Sequence, residues 1–379
     1  MKAEMFLNTL KNELGVDFYT GVPDSQLKAL CDILYEKCEL GRNHIVAANE
    51  GAAVALAAGH YIATGRPALV YMQNSGIGNA LNPITSLLDE KVYAIPCVFV
   101  IGWRGEPGVK DEPQHLFQGE ITLELLKLLK IESFIISDKT EDAEFVQNAA
   151  SCKEILKNGN SVAFVVKKEG FIGNLAPGFK NISALSRERA ISVILDIADK
   201  DDIFVSTTGK ASRELFEIRE KQGKDHAHDF LTVGSMGHAS MIALGIALEQ
   251  SEKRIWCVDG DGAALMHLGS MSVLSKTRCE NLIHIILNNA AHESVGGMPV
   301  AYGQLDFCQL AKAAGYDYCR RVDTEENLKR ILKEIYGVKG TKFIEICVSL
   351  ESRRDLGRPT ASPKENRESL MRLLGGYKP

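Results

Sequence analysis

The chain has no CxxC pair, no apolar run approaching the 18 or more residues of a spanning helix, no repeat of fixed period, and no marked excess of either charge. Each absence closes a class of function. Nine cysteines, an odd number placed mostly inside apolar segments, favour reduced core thiols over a disulfide framework or a structural zinc centre, and a cytoplasmic setting follows. Lysine plus arginine total 44 against 49 aspartate plus glutamate, a formal charge of −5, so no basic face is offered to nucleic acid. Segment 1–16 carries acidic residues and lacks a sustained apolar core, so neither secretion nor membrane insertion is expected. What remains is a chain of 379 residues, long enough for two α/β domains that each bury a core of their own.

Short apolar strands alternate with helix-length segments throughout. In the first half the strand segments are 45–49 (IVAAN), 68–73, 93–102, 133–138 and 161–166; in the second they are 203–208, 230–233, 254–259, 282–289, 316–320 and 342–348. Between Lys168 and Ser186 the periodicity fades and Gly, Pro and Asn collect. The expected division is therefore 1–180 and 181–379, each a three-layer α/β/α domain on a mainly parallel sheet. An Ala-rich helix should start directly after IVAAN, at Glu50, and stop near Gly65. Glu50 thus falls at the carboxyl edge of a sheet, where α/β folds bind ligands. Asp323 to Glu326 look like a capping box, and the last 25 or so residues look like an extended arm, with Arg353, Arg354 and Arg358, closing in a short helix.

Asp259-Gly260-Asp261-Gly262-Ala263 follows one apolar strand, and Asn288-Asn289 ends the next. With a crossover helix between them, the two loops should emerge side by side, giving Asp261 and Asn289 a common point of convergence. Carboxylate, amide carbonyl and backbone carbonyl oxygens are hard donors suited to Mg²⁺. Either fragment alone is equally well a tight turn.

Together, GDG and NN separated by 28 residues from Asp261 to Asn289 resemble the thiamine diphosphate signature. The resemblance implies that Asp261, the Asn289 side chain and the Ala291 carbonyl hold Mg²⁺ against the cofactor's diphosphate, with Gly260, Gly262 and Ala263 lining that loop. It implies that Glu50 meets the aminopyrimidine of a cofactor whose diphosphate is bound by the partner subunit, so that a homodimer is the smallest active assembly, with active sites at the subunit interface and higher homo-oligomers open. Gly234-Ser235-Met236-Gly237 resembles the segment beneath the thiamine rings, with Met236 as the wedge that bends the cofactor. Thr207 and Thr208, at a strand end, are candidates for diphosphate or substrate contacts.

The loop from Met72 to Pro83, the Ile101-to-Gly105 turn, the segment Asp111 to Gly119 (DEPQHLFQG) and the stretch Asn288 to Gly297 (NNAAHESVGG) resemble the phosphonopyruvate decarboxylase family of thiamine diphosphate-dependent 2-oxo acid decarboxylases, with sulfopyruvate decarboxylase as close relative. The middle domain of longer relatives is missing. The resemblance implies decarboxylation of 3-phosphonopyruvate to phosphonoacetaldehyde, a step in phosphonate (2-aminoethylphosphonate) biosynthesis; sulfopyruvate or another small 2-oxo acid remains open as the substrate. Asp24, His115 and His292, each placed in a loop, are the candidate proton-handling groups. Asn74, Ser75, Gly76, Arg104 and Lys110 are candidate substrate contacts, with Arg104, Lys110 and His292 the cations expected for an anionic substrate. A dehydrogenase is disfavoured, because GIGNAL (76–81) supplies only the start of a GxGxxG. A binding protein that had lost catalysis would show damage at Glu50, Asp261 or Asn289, and none is seen.

Overall fold

The computed structural model describes residues 1–173, 179–293, 297–300, 305–350 and 352–376. The chain divides into two compact units, Met1–Phe179 with His292–Tyr302, and Lys180–Ala291 with Gly303–Pro379. Segment 292–302, expected with the second half, therefore groups with the first. Its Met298 is fully buried in the first unit's core, which gives the segment an apolar anchor there.

In the first unit, strands β1 (Tyr19–Gly21), β2 (His44–Val46), β3 (Ala68–Gln73), β4 (Cys97–Gly102), β5 (Glu132–Ile136) and β6 (Val162–Val166) form one sheet in the order β2-β1-β3-β4-β6-β5. Every pairing in it is parallel. The central strands are apolar on both faces because helices cover both. Leu69, Tyr71, Val98 and Val100 pack with helices α1 (Ala3–Leu14), α2 (Lys28–Lys37) and α6 (Asp142–Lys157); the alternate residues Val70, Met72, Phe99 and Ile101 pack with α3 (Glu50–Thr64), α4 (Ile77–Pro83) and α5 (Pro113–Leu128). This is a three-layer α/β/α unit.

The second unit repeats the plan. Helices α7 (Arg187–Ile197), α8 (Lys210–Lys221), α9 (Ala239–Glu249), α10 (Asp261–Met266), α11 (Ser270–Thr277), α12 (Phe307–Ala314), α13 (Glu325–Glu334) and α14 (Pro363–Leu373) surround a six-stranded parallel sheet. Its strands are β7 (Ile203–Ser206), β8 (Asp229–Leu231), β9 (Ile255–Gly260), β10 (Leu282–Asn288), β13 (Tyr318–Val322) and β14 (Lys342–Cys347), in the order β13-β14-β10-β9-β7-β8. The short strands β11 (Ala291–His292) and β12 (Met298–Pro299) pair separately. Trp256, Val258, Ile283 and Ile285 meet α7, α8 and α13 on one face; Ile255, Cys257, Ile286 and Phe343 meet α9, α11, α12 and α14 on the other.

Local chemistry explains where the expected elements shift. The strand expected over 45–49 ends at Val46, because Asn49 caps α3 by accepting from Ala52 N at 2.8 Å. Strand β1 is only three residues long, too short for an alternation to show, yet it lies between β2 and β3. The Met72-to-Pro83 segment is no open loop: a 3-10 turn over Asn74–Gly76 leads into α4. The 111–119 segment enters α5, with Pro113 at its first turn. Thr324 caps α13 alone, whereas Ser362 and Glu365 form a reciprocal capping box on α14. Residues 174–178 of the expected linker and 377–379 of the expected arm lie outside the described residues.

Helices α7 and α8 are joined by a buried ion pair, with Arg187 Nε and Nη2 each 2.7 Å from a Glu214 oxygen. Removing one partner strands the other's charge in the interior. Arg187→Ala should lower unfolding stability by about 3–5 kcal/mol, read as a fall in the urea midpoint; an unchanged midpoint would show that water replaces the guanidinium freely.

Candidate active site

In each sheet the expected site residues gather at the carboxyl ends of the strands, beside the point where strand order reverses. In the first unit the reversal lies between β1 and β3. Asp24 follows β1, Glu50 opens α3 after β2, Asn74, Ser75 and Gly76 follow β3, and Arg104 follows β4.

Glu50 is 5% exposed, and its Oε2 accepts from Asn79 Nδ2 at 2.8 Å. A Cβ on Gly76 would lie 2.5 Å from Glu50 Oε1, so this turn approaches the carboxyl as only glycine allows. Burial raises the Glu50 pKa, against the lowering effect of Asn79. The carboxyl is offered from the first turn of α3 in a setting that disfavours its charged form. Asn79 was not foreseen as its partner; the only signal was its place in GIGNAL.

Asp24 is fully buried, its Oδ2 accepts from Gln26 N at 2.9 Å, and its Oδ1 has no partner. Burial pushes its pKa up to about 6. His115 stands in the first turn of α5 rather than in a loop, because the helix begins at Pro113. Its Nδ1 is buried and without partner, and burial, reinforced by the Arg104 charge, pushes its pKa down to about 4. His115 is therefore neutral at pH 7. Asn74 Nδ2 donates to Arg104 O at 2.8 Å and to Thr122 Oγ1 at 2.9 Å, while Ser75 Oγ accepts from Gln73 Nε2 at 2.7 Å.

The expected cations differ in their surroundings. Arg104 is held side-on by Asp111, through Nε at 2.8 Å and through Nη2, which fixes its guanidinium in an ion pair. His292 lies in β11 rather than a loop and is lowered to about 4 by burial, which leaves it a neutral donor or acceptor instead of a cation. Lys110 is exposed on the 107–110 arc. Ser294, Val295 and Gly296, inside the NNAAHESVGG stretch, lie outside the described residues.

In the second unit the reversal lies between β7 and β9, and Thr207 and Asp261 follow these strands. Strands β9 and β10 pair with Gly260 opposite Leu287, which aligns the two loops that follow. Asp261 Oδ1 accepts from Gly262 N at 2.7 Å, and Oδ2 reaches across to Ala290 N at 2.6 Å. Ala290 holds φ at 61°, and Asn289 Oδ1 accepts from Ala291 N at 3.0 Å. Asp261 and Asn289 are thus brought together. Burial raises the Asp261 pKa to about 7 against three backbone donors. Asn181, which no sequence pattern marked, donates from Nδ2 to Asn289 O at 2.9 Å and to Val348 O at 2.8 Å.

Thr207 N donates to Val258 O at 2.8 Å, and Thr208 Oγ1 accepts from Gly234 N at 3.1 Å. Ser235 and Gly237 both have positive φ; a Cβ on Gly237 would come within 2.8 Å of Ala263 O and the His267 ring. Met236, half-buried, therefore sits on a tight turn packed against the Asp261 helix. Among the described residues one further group of ligating side chains appears, Cys257, Asp259 and His284, whose donor atoms lie within 4.8 Å of one another. It mixes sulfur, nitrogen and oxygen, unlike the oxygen set at Asp261. No helix among the described residues is long and apolar enough to cross a membrane.

Comparison with known proteins gives the family. Residues 2–126 match the family described as "Thiamine pyrophosphate enzyme, N-terminal TPP binding domain" and residues 207–346 match "Thiamine pyrophosphate enzyme, C-terminal TPP binding domain", which puts both units in the class of thiamine pyrophosphate-binding enzyme domains. The chain is similar to the phosphonopyruvate decarboxylase of Streptomyces viridochromogenes, at 32% identity over 370 residues, covering 93% of this chain and 90% of the relative. It is similar to that of Streptomyces hygroscopicus at 33% over 368 residues (93% and 89%), and to the sulfopyruvate decarboxylase of Methanosarcina acetivorans at 26% over 361 residues (89% of each). The chain belongs to the phosphonopyruvate decarboxylase-like family of the thiamine pyrophosphate-dependent 2-oxo acid decarboxylase superfamily, close to the sulfopyruvate decarboxylases. This membership supports thiamine pyrophosphate-dependent decarboxylation of a small 2-oxo acid.

Asp24 gives a test that needs no substrate. Its pKa of about 6 lies above the unfolded value of about 3.9, so burying the carboxylate opposes folding above pH 6, and that cost disappears below pH 4. Relative to wild type, Asp24→Asn should gain about 1–3 kcal/mol of unfolding stability on going from pH 4 to pH 7.5. A difference that stays constant across this range would mean that Asp24 keeps an ordinary pKa.

Proposed function

We propose that the chain is a Mg²⁺- and thiamine diphosphate-dependent decarboxylase of 3-phosphonopyruvate, releasing phosphonoacetaldehyde and CO₂ and so committing carbon to phosphonates such as 2-aminoethylphosphonate. The observation that carries the cofactor assignment is the geometry at Asp261: a buried carboxylate with no side-chain cation bonded to it among the described residues, whose loop is tied to the Asn289 loop. A buried carboxylate is stabilised by a bound cation. The oxygens of Asp261, of the Asn289 side chain and of the Ala291 main chain fit Mg²⁺ in ligand type. The substrate assignment is supported by end-to-end similarity to phosphonopyruvate decarboxylases from two Streptomyces species.

Thiamine diphosphate, when bound, supplies the electron sink that takes up the pair released when the bond between C1 and C2 of a 2-oxo acid breaks. The residues of this chain do the rest. Glu50, whose charged form burial disfavours, would hydrogen-bond the pyrimidine ring nitrogen. Thr207, Thr208, Gly234 and Ser235 offer hydroxyl and backbone groups to the diphosphate, with Gly260, Gly262 and Ala263 forming the floor of its loop. Met236 would supply the apolar contact to the rings. Asp24, poised near pH 6, delivers the proton that replaces CO₂ on the former 2-oxo carbon, and neutral His115 and His292 hold the carbonyl oxygen and the departing aldehyde. Asn74, Ser75 and Gly76 present the turn that faces the substrate.

By the same reading two copies of the chain form the active unit, with Glu50 of one serving a cofactor held by Asp261 of the other. Nine unpaired thiols, eight of them buried, suit a reducing cytoplasm. Sulfopyruvate is the second substrate reading, favoured by the similarity to a sulfopyruvate decarboxylase over 89% of this chain.

The test is CO₂ release by the purified chain with Mg²⁺ and thiamine diphosphate, offering phosphonopyruvate, sulfopyruvate and pyruvate at equal concentration. Phosphonopyruvate should be preferred, and Glu50→Gln should lower kcat by about 100-fold or more while the protein still binds cofactor. Turnover of none of the three by cofactor-loaded protein would refute the assignment.

A further inference from the structure

The 104–112 loop of the first unit holds an arrangement that the cofactor chemistry does not use. Asp111 accepts four hydrogen bonds: from Arg104 Nε at 2.8 Å, from Arg104 Nη2, from Gly105 N at 2.8 Å and from Glu112 N at 2.8 Å. The loop is thereby closed into a ring around one carboxylate. The Arg104 backbone is clamped as well, its N donating to Asn74 Oδ1 at 3.3 Å and its O accepting from Asn74 Nδ2 at 2.8 Å. Arg104 Nη1 extends to Ser25 Oγ at 3.2 Å, beside the buried acid Asp24. Ser25 is exposed, and the Arg104 and Asp111 side chains keep 19% and 11% of their exposure, so the group is reachable from solvent.

We propose that Ser25 and Arg104 form the subsite for the distal tetrahedral oxyanion of the substrate, with Asp111 as the residue that positions Arg104. This deepens the reading that the chain decarboxylates an anionic 2-oxo acid, and rests on it. A guanidinium has five N–H donors in a rigid fork; the side-on grip of Asp111 takes two, and the outer edge stays directed toward Ser25. That edge and a hydroxyl match a group with three oxygens and have nothing to offer a methyl. The rotamer freedom of Arg104 is lost before substrate arrives, which lowers the entropy cost of binding. The reacting carboxylate is a poor match for the same edge, because a fixed cation stabilises it in the ground state and loses that contact as CO₂ leaves. The geometry therefore directs the guanidinium to the end of the substrate that does not react.

The test uses the full chain loaded with Mg²⁺ and thiamine diphosphate, with phosphonoacetate as the calorimetric probe and phosphonopyruvate as the kinetic one. Ser25→Ala, at an exposed position, should weaken phosphonoacetate binding and raise the KM for phosphonopyruvate by about tenfold, with kcat within about twofold of wild type. Asp111→Asn should show the same split, while the KM for any slow turnover of pyruvate stays unchanged. An unchanged KM and phosphonoacetate affinity in Ser25→Ala, or a wild type that binds no phosphonoacetate, overturns the subsite. Binding that depends on Ser25 in a wild type that turns over no 2-oxo acid would keep the subsite and refute the decarboxylase reading.

Discussion

The hydrogen bond from Ala290 N to Asp261 Oδ2 joins the ends of two neighbouring parallel strands, and the second unit's chemistry depends on it. Parallel pairing of β9 and β10 puts both carboxyl ends on one edge, but pairing alone leaves the loops free to splay. The carboxylate closes them. Ala290 is driven to positive φ, Asn289 turns its amide oxygen back onto Ala291 N, and Asn181 fastens the Asn289 carbonyl from outside the sheet. The consequence is electrostatic as well as geometric: burial disfavours the charged form of this carboxylate, and the three backbone donors of the two loops only partly offset it.

The first unit shows the same logic with other groups. Glu50, Asp24 and His115 are all shifted by burial toward their neutral forms, the acids upward and the imidazole downward. Arg104, the one fixed cation among them, is compensated by Asp111 and held at two points by Asn74. Burial thus disfavours the charged form of all three groups, and the Arg104 charge reinforces the shift at His115 while opposing it at Asp24.

The sequence made the repeated α/β rhythm legible because the central strands are apolar on both faces and the helices are amphipathic on one. It also marked Glu50 and the Asp261–Asn289 pairing, since a helix starting at a strand end and a GDG–NN spacing are patterns of chain order. Strand β1 escaped because three residues cannot display a period. The DEPQHLFQG segment was expected to be a loop on its polar start, although Pro113 is a normal first-turn residue and α5 runs on to Leu128. Asn79, Asn181 and Asp111 were not legible as partners, because their roles are set by tertiary contacts at separations of 29, 108 and 7 residues that leave no local pattern. Arg104 was marked as a candidate cation for the substrate, but its ion pair with Asp111 leaves no pattern in chain order.

On the proposed function, Glu50 of one chain and Asp261 of its partner serve a single cofactor. Mixing Glu50→Gln and Asp261→Asn proteins, each inactive alone, under conditions of subunit exchange tests this most directly. Random pairing should restore about a quarter of wild-type activity, because half of the dimers are mixed and each mixed dimer rebuilds one intact site from the unaltered Glu50 and Asp261 of opposite chains. No recovery, with exchange demonstrated by differential labelling, would contradict it.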